Sequence, residues 1–294
     1  MQTAIKLKPV KIDSLAAKVR SEINNCYACG SCLSECPVNR ATDSLHPRTM
    51  VRLVAYGLID ELVNSPEIWY CISCGRCDQA CPMIVRPARL IAAIRQEAYN
   101  SLVLAPEVER GLRSVYSQLH RVRRQVLGLC FNGEPIPDLA SEWSRLAWAP
   151  LADEFESTRQ PIRITPSWTA RRTSRNYLGF PTNVDYCFTC AECSNACPVW
   201  CGRAVFDPMW INRMAAYGLF EEILRSPCIW LCIMCQSCTR ACPQQVKGHL
   251  VIRRLQDMAI KEGFIDPALQ LHWSKMERLV YMQFIREIDA VFDR

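Results

Sequence analysis

The fold of this chain is decided by the segment Cys26-Tyr27-Ala28-Cys29-Gly30-Ser31-Cys32-Leu33-Ser34-Glu35-Cys36-Pro37. Its cysteines follow the spacing C-x2-C-x2-C-x3-C-P, and the same spacing returns at residues 71–82, 187–198 and 232–243. These four runs take up 16 of the 19 cysteines in the 294-residue chain. The remaining sequence is therefore best interpreted as the frame that holds the runs in place.

The spacing is the one with which bacterial ferredoxins hold [4Fe-4S] clusters. Two other uses of cysteine fit less well. A secreted disulfide framework is typical of a short chain with an even number of cysteines. A zinc site usually takes its four ligands from two separated pairs. The runs therefore predict iron–sulfur clusters.

The runs are related by an internal duplication. Adding 161 to the number of any cysteine in the first two runs gives the number of a cysteine in the last two, as from Cys26 to Cys187. The same offset relates Trp69 to Trp230. The repeating unit is thus a pair of runs. The predicted division is a first domain at 1–127, a linker containing proline and tryptophan at 128–180, and a second domain at 181–294 with a long C-terminal helix.

Helices are predicted between the runs. Apolar residues recur there at spacings of three and four, and no alternating strand pattern is found, so the predicted class is all-α. A helix is also expected from Asp13 or Ser14 to Ile23, and Gly57 should divide the helix that follows Pro47. The linker has little helical period, and its tryptophans suit either a packed segment or a simple connection. Prolines that suit a first helical turn are Pro47, Pro87, Pro106, Pro208 and Pro267.

The ligand sets follow from a rule of two-cluster ferredoxins, in which the fourth cysteine of a run ligates the other cluster. Applied here, it predicts four [4Fe-4S] clusters and no catalytic residue, because every set is complete with four thiolates. Neither cluster of a pair could then form before both runs meet. The sets are Cys26, Cys29, Cys32 and Cys81; Cys71, Cys74, Cys77 and Cys36; Cys187, Cys190, Cys193 and Cys242; and Cys232, Cys235, Cys238 and Cys197.

Charge and glycine content bear on the partners. The formal charge is +6, but four clusters at about −2 each would make the net charge roughly −2, so nucleic acid is not expected as a partner. Arginine groups at 121–124 and 171–175 suit a solvated surface, charge balance for the clusters, or a docking patch for an acidic partner or a flavin subunit. No G-x-G motif occurs, so flavin or nicotinamide nucleotide is expected on a partner.

The compartment and the leftover cysteines complete the predictions. No signal peptide and no apolar run of about 18 residues is visible. Thiolate ligands suit a reducing compartment, so a cytoplasmic protein without membrane insertion is expected. Cys130, Cys201 and Cys228 lie outside the runs. They are interpreted as small buried hydrophobes, although the last two could line a cluster pocket.

The sequence around the runs resembles the C subunit of heterodisulfide reductase. The similar segments are residues 26–32, residues 68–77 with the sequence Ile-Trp-Tyr-Cys-Ile-Ser-Cys-Gly-Arg-Cys, and their counterpart at 229–238. The resemblance implies an α-helical ferredoxin fold. It also implies an electron-transfer role in a hetero-oligomer, between a flavin-containing A-like subunit and a cysteine-rich, catalytic B-like subunit.

The chain departs from that family in carrying two such domains instead of one. It contains no Cys-Cys pair, so no disulfide-cleaving site is implied. Two other functions stay open at this point. One is a peripheral subunit of a quinone-linked membrane respiratory complex, docked through the arginine patches. The other is a cluster-bearing scaffold or redox sensor.

Overall fold

The computed structural model describes residues 22–100, 104–150, 182–200 and 206–293. Within these ranges the regular elements are α-helices and 3-10 turns, with no strand, which confirms the all-α prediction. The chain forms two compact units. The first takes the residues up to Ser117 and those from Arg278 onward, and the second is Gln118–Glu277. The helix expected to end at Ile23 lies outside the described ranges except for its last two residues.

The helices up to residue 131 surround the first two runs. They are α1 Ser31–Ser34, α2 Pro37–Thr42, α3 Pro47–Ala55, α4 Ile59–Val63, α5 Arg76–Ala80, α6 Pro87–Asn100 and α7 Pro106–Phe131. A 3-10 turn at Pro66–Tyr70 leads into the second run. The α7 helix begins in the first unit and ends in the second.

The later helices lie before, between and after the last two runs in sequence. They are α8 Leu139–Trp148, α9 Glu192–Asn195, α10 Pro208–Ala216, α11 Phe220–Arg225, α12 Ser237–Ala241, α13 Gly248–Lys261 and α14 Pro267–Phe292. A 3-10 turn at Pro227–Leu231 precedes the fourth run. The α14 helix begins in the second unit and ends in the first.

Proline marks the starts of the main helices as predicted. Pro47, Pro87, Pro106, Pro208 and Pro267 are each the first residue of a helix. A proline lacks the N–H that a first turn could not pair, and its fixed φ suits a helix. The expected break at Gly57 is also present, because α3 ends at Ala55 and α4 begins at Ile59.

Each unit has the same small helical core. In the first unit α3 and α4 pack on α6, and in the second α10 and α11 pack on α13. The α6 side chains that face this core, such as Ile94, are at most 1% exposed, and those of α13, such as Leu255, are fully buried. Each such side chain contributes about 1.5–3 kcal/mol through burial. The cores hold the chain segments between the paired runs.

The ends of the two long helices help to close the first unit. Tyr116 of α7 packs edge-on against Phe284 of α14, with ring centroids 5.6 Å apart. The hydroxyl of Tyr70, beside the second run, donates a hydrogen bond of 2.5 Å to Asp289 of α14. The last described turns of the chain therefore contact the segment that leads into the second run.

The predicted linker contains a helix that periodicity did not indicate. Asp138 caps α8, and its carboxylate accepts from the backbone N–H groups of Ala140 and Ser141 at 3.3 and 3.2 Å. Trp143 of this helix is 2% exposed. The expectation of little helical structure is wrong at 139–148, because the cap and the buried ring stabilise a short helix between prolines. The division at 127 and 180 stays a prediction, since residues 151–181 lie outside the described ranges.

Two glycines of α7 should respond oppositely to substitution by alanine. A Cβ on Gly111 would lie 2.8 Å from a γ-methyl of Val291, whereas one on Gly128 would meet nothing within 4 Å. Gly111→Ala should lower the free energy of unfolding by about 1–2 kcal/mol through overpacking. Gly128→Ala should raise it by about 0.5–1 kcal/mol through helix propensity. Anaerobic guanidinium unfolding followed by circular dichroism measures both, and a shift of both in one direction would contradict this packing.

Candidate metal centres

All four cysteine runs share a backbone feature. The residue before the second cysteine and the residue after it both have positive φ, as at Ala28 (60°) and Gly30 (87°). Such left-handed residues reverse the chain locally, so that cysteines on either side can face one pocket. The corresponding residues of the other three runs are Ser73 and Gly75, Thr189 and Ala191, and Met234 and Gln236.

The second repeat adopts this backbone without glycine after the second cysteine. Ala191 and Gln236 have φ of 65° and 63°. A side chain at positive φ costs roughly 1–2 kcal/mol, which the surrounding structure must offset. Glycine content could have indicated the conformation at Gly30 and Gly75. In the second repeat glycine content could not have indicated the left-handed conformation. There, only the cysteine spacing and the duplication indicate it.

Short helices bring the paired runs together. The third cysteine of each run lies in a helix of four or five residues, with Cys32 in α1 and Cys77 in α5. The two helices pack against each other. Their counterparts α9 and α12, which carry Cys193 and Cys238, pack in the same way. Each unit therefore joins two runs that are 45 residues apart in sequence, as from Cys26 to Cys71.

Three of the four predicted cysteine sets each line one pocket. We define the outer pocket of the first unit by Cys26, Cys29, Cys32 and Cys81. The inner pocket of the first unit is lined by Cys36, Cys71, Cys74 and Cys77. The outer pocket of the second unit is lined by Cys187, Cys190, Cys193 and Cys242, and also by Cys238. In each pocket one run supplies three cysteines and its partner run supplies its fourth cysteine or, in the second unit, Cys242 and Cys238.

The remaining set is Cys197, Cys232, Cys235 and Cys238. Burial raises the pKa of Cys197 to about 12, and the nearby thiolates of Cys235 and Cys238 act in the same direction. Burial also raises the pKa of Cys232, with further contributions from the other three. These cysteines are thus close enough to interact electrostatically. That any of the four sets binds a cluster stays a prediction.

The pockets differ in exposure. The four cysteines of the inner pocket in the first unit are 6–7% exposed. In the outer pockets Cys29 and Cys190 are exposed, and several of the other cysteines are half-buried. One pocket of the first unit is therefore shielded from water, and the outer pocket of each unit presents one cysteine at the surface.

Backbone amides point at several of the sulfurs. The N–H of Asn39 donates to Cys36 Sγ, and the N–H of Val85 donates to Cys81 Sγ, each at 3.4 Å. Burial raises the pKa of Cys36 to about 11, while the Asn39 amide acts in the opposite direction by favouring the thiolate. Ser73 donates to Cys71, and Val246 to Cys242, at the same distance. Such bonds favour negative charge on the sulfur.

A buried arginine donates hydrogen bonds at the start of the second run. Arg95 of α6 is 9% exposed, and its guanidinium donates to the backbone oxygens of Ile68 and Cys71 at 2.6 Å. It also donates to the hydroxyl of Ser73 at 3.3 Å. The counterpart of Arg95 is Gln256, whose amide donates to the Ile229 oxygen at 2.8 Å. A positive charge therefore lies beside the inner pocket of the first unit, and a neutral amide takes its place in the second.

The expected arginine patch on α7 is only partly at the surface. Arg123 is fully buried and Arg124 is 7% exposed. Arg123 donates to the Leu231 oxygen at 3.3 Å and pairs with Glu277. Both the solvated surface and the docking patch are therefore wrong for these two residues, because both side chains are buried and the charge of Arg123 is paired within the protein. Only Arg121 of this group is exposed, and it stacks on Trp148. Arg171, Arg172 and Arg175 lie outside the described ranges.

The donor chemistry of the pockets fits an iron–sulfur cluster. Each of the three pockets offers at least four sulfur atoms, and no carboxylate or imidazole is among its described lining residues. Over the part of the chain that the structure describes, no three His, Cys, Asp or Glu side chains lie so as to hold a single metal ion. The arrangement suits a larger group bound at several thiolates.

Known protein families show the same chemistry. Residues 22–85 match the family described as 4Fe-4S dicluster domain, and residues 184–200 and 231–246 match the 4Fe-4S binding domain. Segments of both repeats are thus similar to families that are described as 4Fe-4S domains, which supports the prediction of iron–sulfur clusters.

The chain is also similar to individual proteins over part of its length. The chain is 33% identical over 97 residues to a protein of Archaeoglobus profundus that is named as like the C subunit of heterodisulfide reductase, which is 33% of this chain and 52% of the relative. It is 37% identical over 86 residues to the C subunit of the H2:CoB-CoM heterodisulfide,ferredoxin reductase of Methanothermobacter thermautotrophicus, which is 29% and 46% of the two chains. It therefore spans about half the length of these relatives.

A longer match is less similar. The chain is 25% identical over 130 residues to the C subunit of the ferredoxin:CoB-CoM heterodisulfide reductase of Methanosarcina mazei, which is 42% of this chain and 77% of the relative. These matches confirm the resemblance to the C subunit of heterodisulfide reductase. No solved structure matches the chain significantly. None of the described helices is long and apolar enough to cross a bilayer.

The leftover cysteine Cys130 should be unreactive in the folded protein. It is 3% exposed, and burial raises the pKa of its thiol to about 11, so the reactive thiolate is scarce at about pH 7.5. Anaerobic alkylation with iodoacetamide followed by peptide mass spectrometry should leave Cys130 unmodified until denaturant is added. Rapid modification under native conditions would show that it is not a buried hydrophobe. Cys228 is half-buried, and Cys201 lies outside the described ranges.

Proposed function

We propose that this chain is an electron-transfer subunit of a heterodisulfide reductase-like complex and holds four [4Fe-4S] clusters in the four predicted cysteine sets. The observation that carries the proposal is the grouping of cysteines in the pockets. Each pocket combines three cysteines of one run with the fourth cysteine of its partner run, and the outer pocket of the second unit also includes Cys238. The similarity to the C subunits of heterodisulfide reductases supports the choice of complex. Thiolate ligation also favours a reducing compartment such as the cytoplasm.

The roles of the chain follow from the donor sets. A bound [4Fe-4S] cluster supplies one-electron oxidation and reduction, and four thiolate ligands leave no open iron position for a substrate. The cysteines hold and orient the group. The buried Cys71, Cys74 and Cys77 of the inner pocket keep water away from it. The backbone amides at the sulfurs favour the more negative, reduced form.

Electron exchange with partners is best placed at the outer pockets. Cys29 is exposed, and beside it Tyr27 is 60% exposed. In the second unit Cys190 is exposed, next to Phe188 with 55% exposure. Exposed aromatic residues are frequent in protein interfaces. One outer pocket would face a flavin-containing A-like subunit and the other a cysteine-rich B-like subunit, so that the chain connects the two.

The cysteine sets can be tested by single substitutions. Cys81→Ala should lower the iron content from about 16 atoms per chain and remove the signal of the outer cluster of the first unit. Cys36→Ala should instead affect the inner cluster, although it lies in the first run. The matched control is Cys130→Ala, which removes a buried cysteine outside the runs and should leave the iron content unchanged. Anaerobic reconstitution, iron and sulfide analysis and EPR measure these effects.

The outcome also separates the crossed sets from uncrossed ones. If each run held its own cluster, Cys36→Ala would alter the cluster bound by Cys26, Cys29 and Cys32, and Cys81→Ala the cluster bound by Cys71, Cys74 and Cys77. Fewer than about 16 iron atoms in the fully reconstituted wild-type chain would contradict four clusters. Failure to purify with a flavoprotein from the native host under anaerobic conditions would contradict the proposed complex.

A further inference from the structure

The outer pockets of the two units differ at one equivalent position. Asn212 of α10 lines the outer pocket of the second unit and is 2% exposed. Its counterpart at the offset of 161 residues is Val51 of α3, which lines the outer pocket of the first unit and is 1% exposed. A carboxamide therefore faces one pocket where the other pocket has an apolar side chain.

The Asn212 carboxamide is unsatisfied among the residues that the structure describes. Its carbonyl oxygen Oδ1 is buried without a hydrogen-bond partner. A buried and unsatisfied amide destabilises a fold, and a valine such as Val51 has no such penalty. A sulfur cannot donate to this oxygen, but it can accept from the N–H of Nδ2, and the pocket that Asn212 lines is rich in sulfur.

The backbone leaves room for the amide beside the thiols. A Cβ on Gly248 of α13 would lie 3.0 Å from Nδ2 of Asn212 and 3.1 Å from Sγ of Cys238. The amide nitrogen thus borders the same small space as Cys238, which belongs to the predicted inner set but also lines this outer pocket beside the four cysteines of the outer set. The counterpart of Gly248 is Pro87, which lines the outer pocket of the first unit next to Val51. The second unit therefore combines the Asn212 amide with a glycine, which leaves space for that amide.

We propose that the Asn212 amide donates an N–H to a sulfur of the cluster held by Cys187, Cys190, Cys193 and Cys242, and so raises the reduction potential of that cluster. The inference rests on the proposed function, since it requires a cluster in this pocket. Hydrogen bonds to cluster sulfurs are one of the known determinants of potential, because they stabilise the additional negative charge of the reduced form. Val51 cannot donate such a bond, so the equivalent cluster of the first unit lacks this contribution.

The first test compares potentials. Asn212→Leu keeps a similar volume without a donor, and Val51→Asn introduces a donor into the first unit. In anaerobic redox titrations followed by EPR, Asn212→Leu should disfavour reduction of one cluster by about tenfold, which is about 59 mV for one electron. Val51→Asn should favour reduction of a different cluster. Both variants should retain the wild-type iron content. Unchanged potentials at full iron content would overturn the inference.

The second test detects the hydrogen bond itself. Wild-type protein that contains asparagine with ¹⁵N in the side-chain amide should show a ¹⁵N hyperfine coupling to a reduced cluster in pulsed EPR, and Asn212→Leu should abolish it. A residue that only fills space would not produce this coupling. If Asn212→Leu loses iron, the inference is still tested by the ¹⁵N coupling in the wild-type protein and by the reduction potential of Val51→Asn. Full clusters without coupling overturn this inference alone, whereas a wild-type chain without a cluster in this pocket overturns the proposed function as well.

Discussion

The fourth cysteine of each set comes from the other run, and the arrangement of each unit depends on this sharing. Cys81 can line the outer pocket with Cys26 only if the second run folds back on the first. The packing of α1 against α5 joins the runs locally, and α3 and α4 on α6 hold the chain between them. Ligand chemistry and hydrophobic packing therefore require the same geometry. A defect in the ligands or in the packing should loosen both pockets of a unit, because each run contributes cysteines to both pockets.

Duplication has preserved the frame and varied the residues around it. The positive φ after the second cysteine belongs to Gly30 in one repeat and Ala191 in the other. The charge behind the inner pocket is an arginine in the first unit and an amide in the second, at Arg95 and Gln256. The thiolates and the left-handed turns set where a cluster can bind. The surrounding charges and amides differ between repeats, so four chemically identical groups would not have identical redox properties.

Cysteine spacing predicts which cysteines line the three pockets together, because ligands of a metal cluster tolerate little displacement. Helix starts such as Pro106 are predictable for a similar reason, since proline restricts φ whatever its tertiary surroundings. The α8 helix is not predictable from periodicity, because its stability depends on the Asp138 cap and the burial of Trp143. The burial of Arg123 is equally hidden, since a sequence does not show that Leu231 and Glu277 lie beside it. The same holds for Asn212, whose amide becomes informative only through its position in a pocket.

The two long helices give the first unit a dependence on the order of protein synthesis. Its helices up to α6 are made early, but the segment of α14 that packs beside Tyr70 and Tyr116 follows the second unit. The ribosome must add the 160 residues of Gln118–Glu277 before Arg278, which takes roughly 10–30 s at common rates of translation. During that interval Tyr70, which precedes the second run, lacks its hydrogen bond to Asp289. If the first unit holds the proposed clusters, their stable insertion would therefore follow the synthesis of α14.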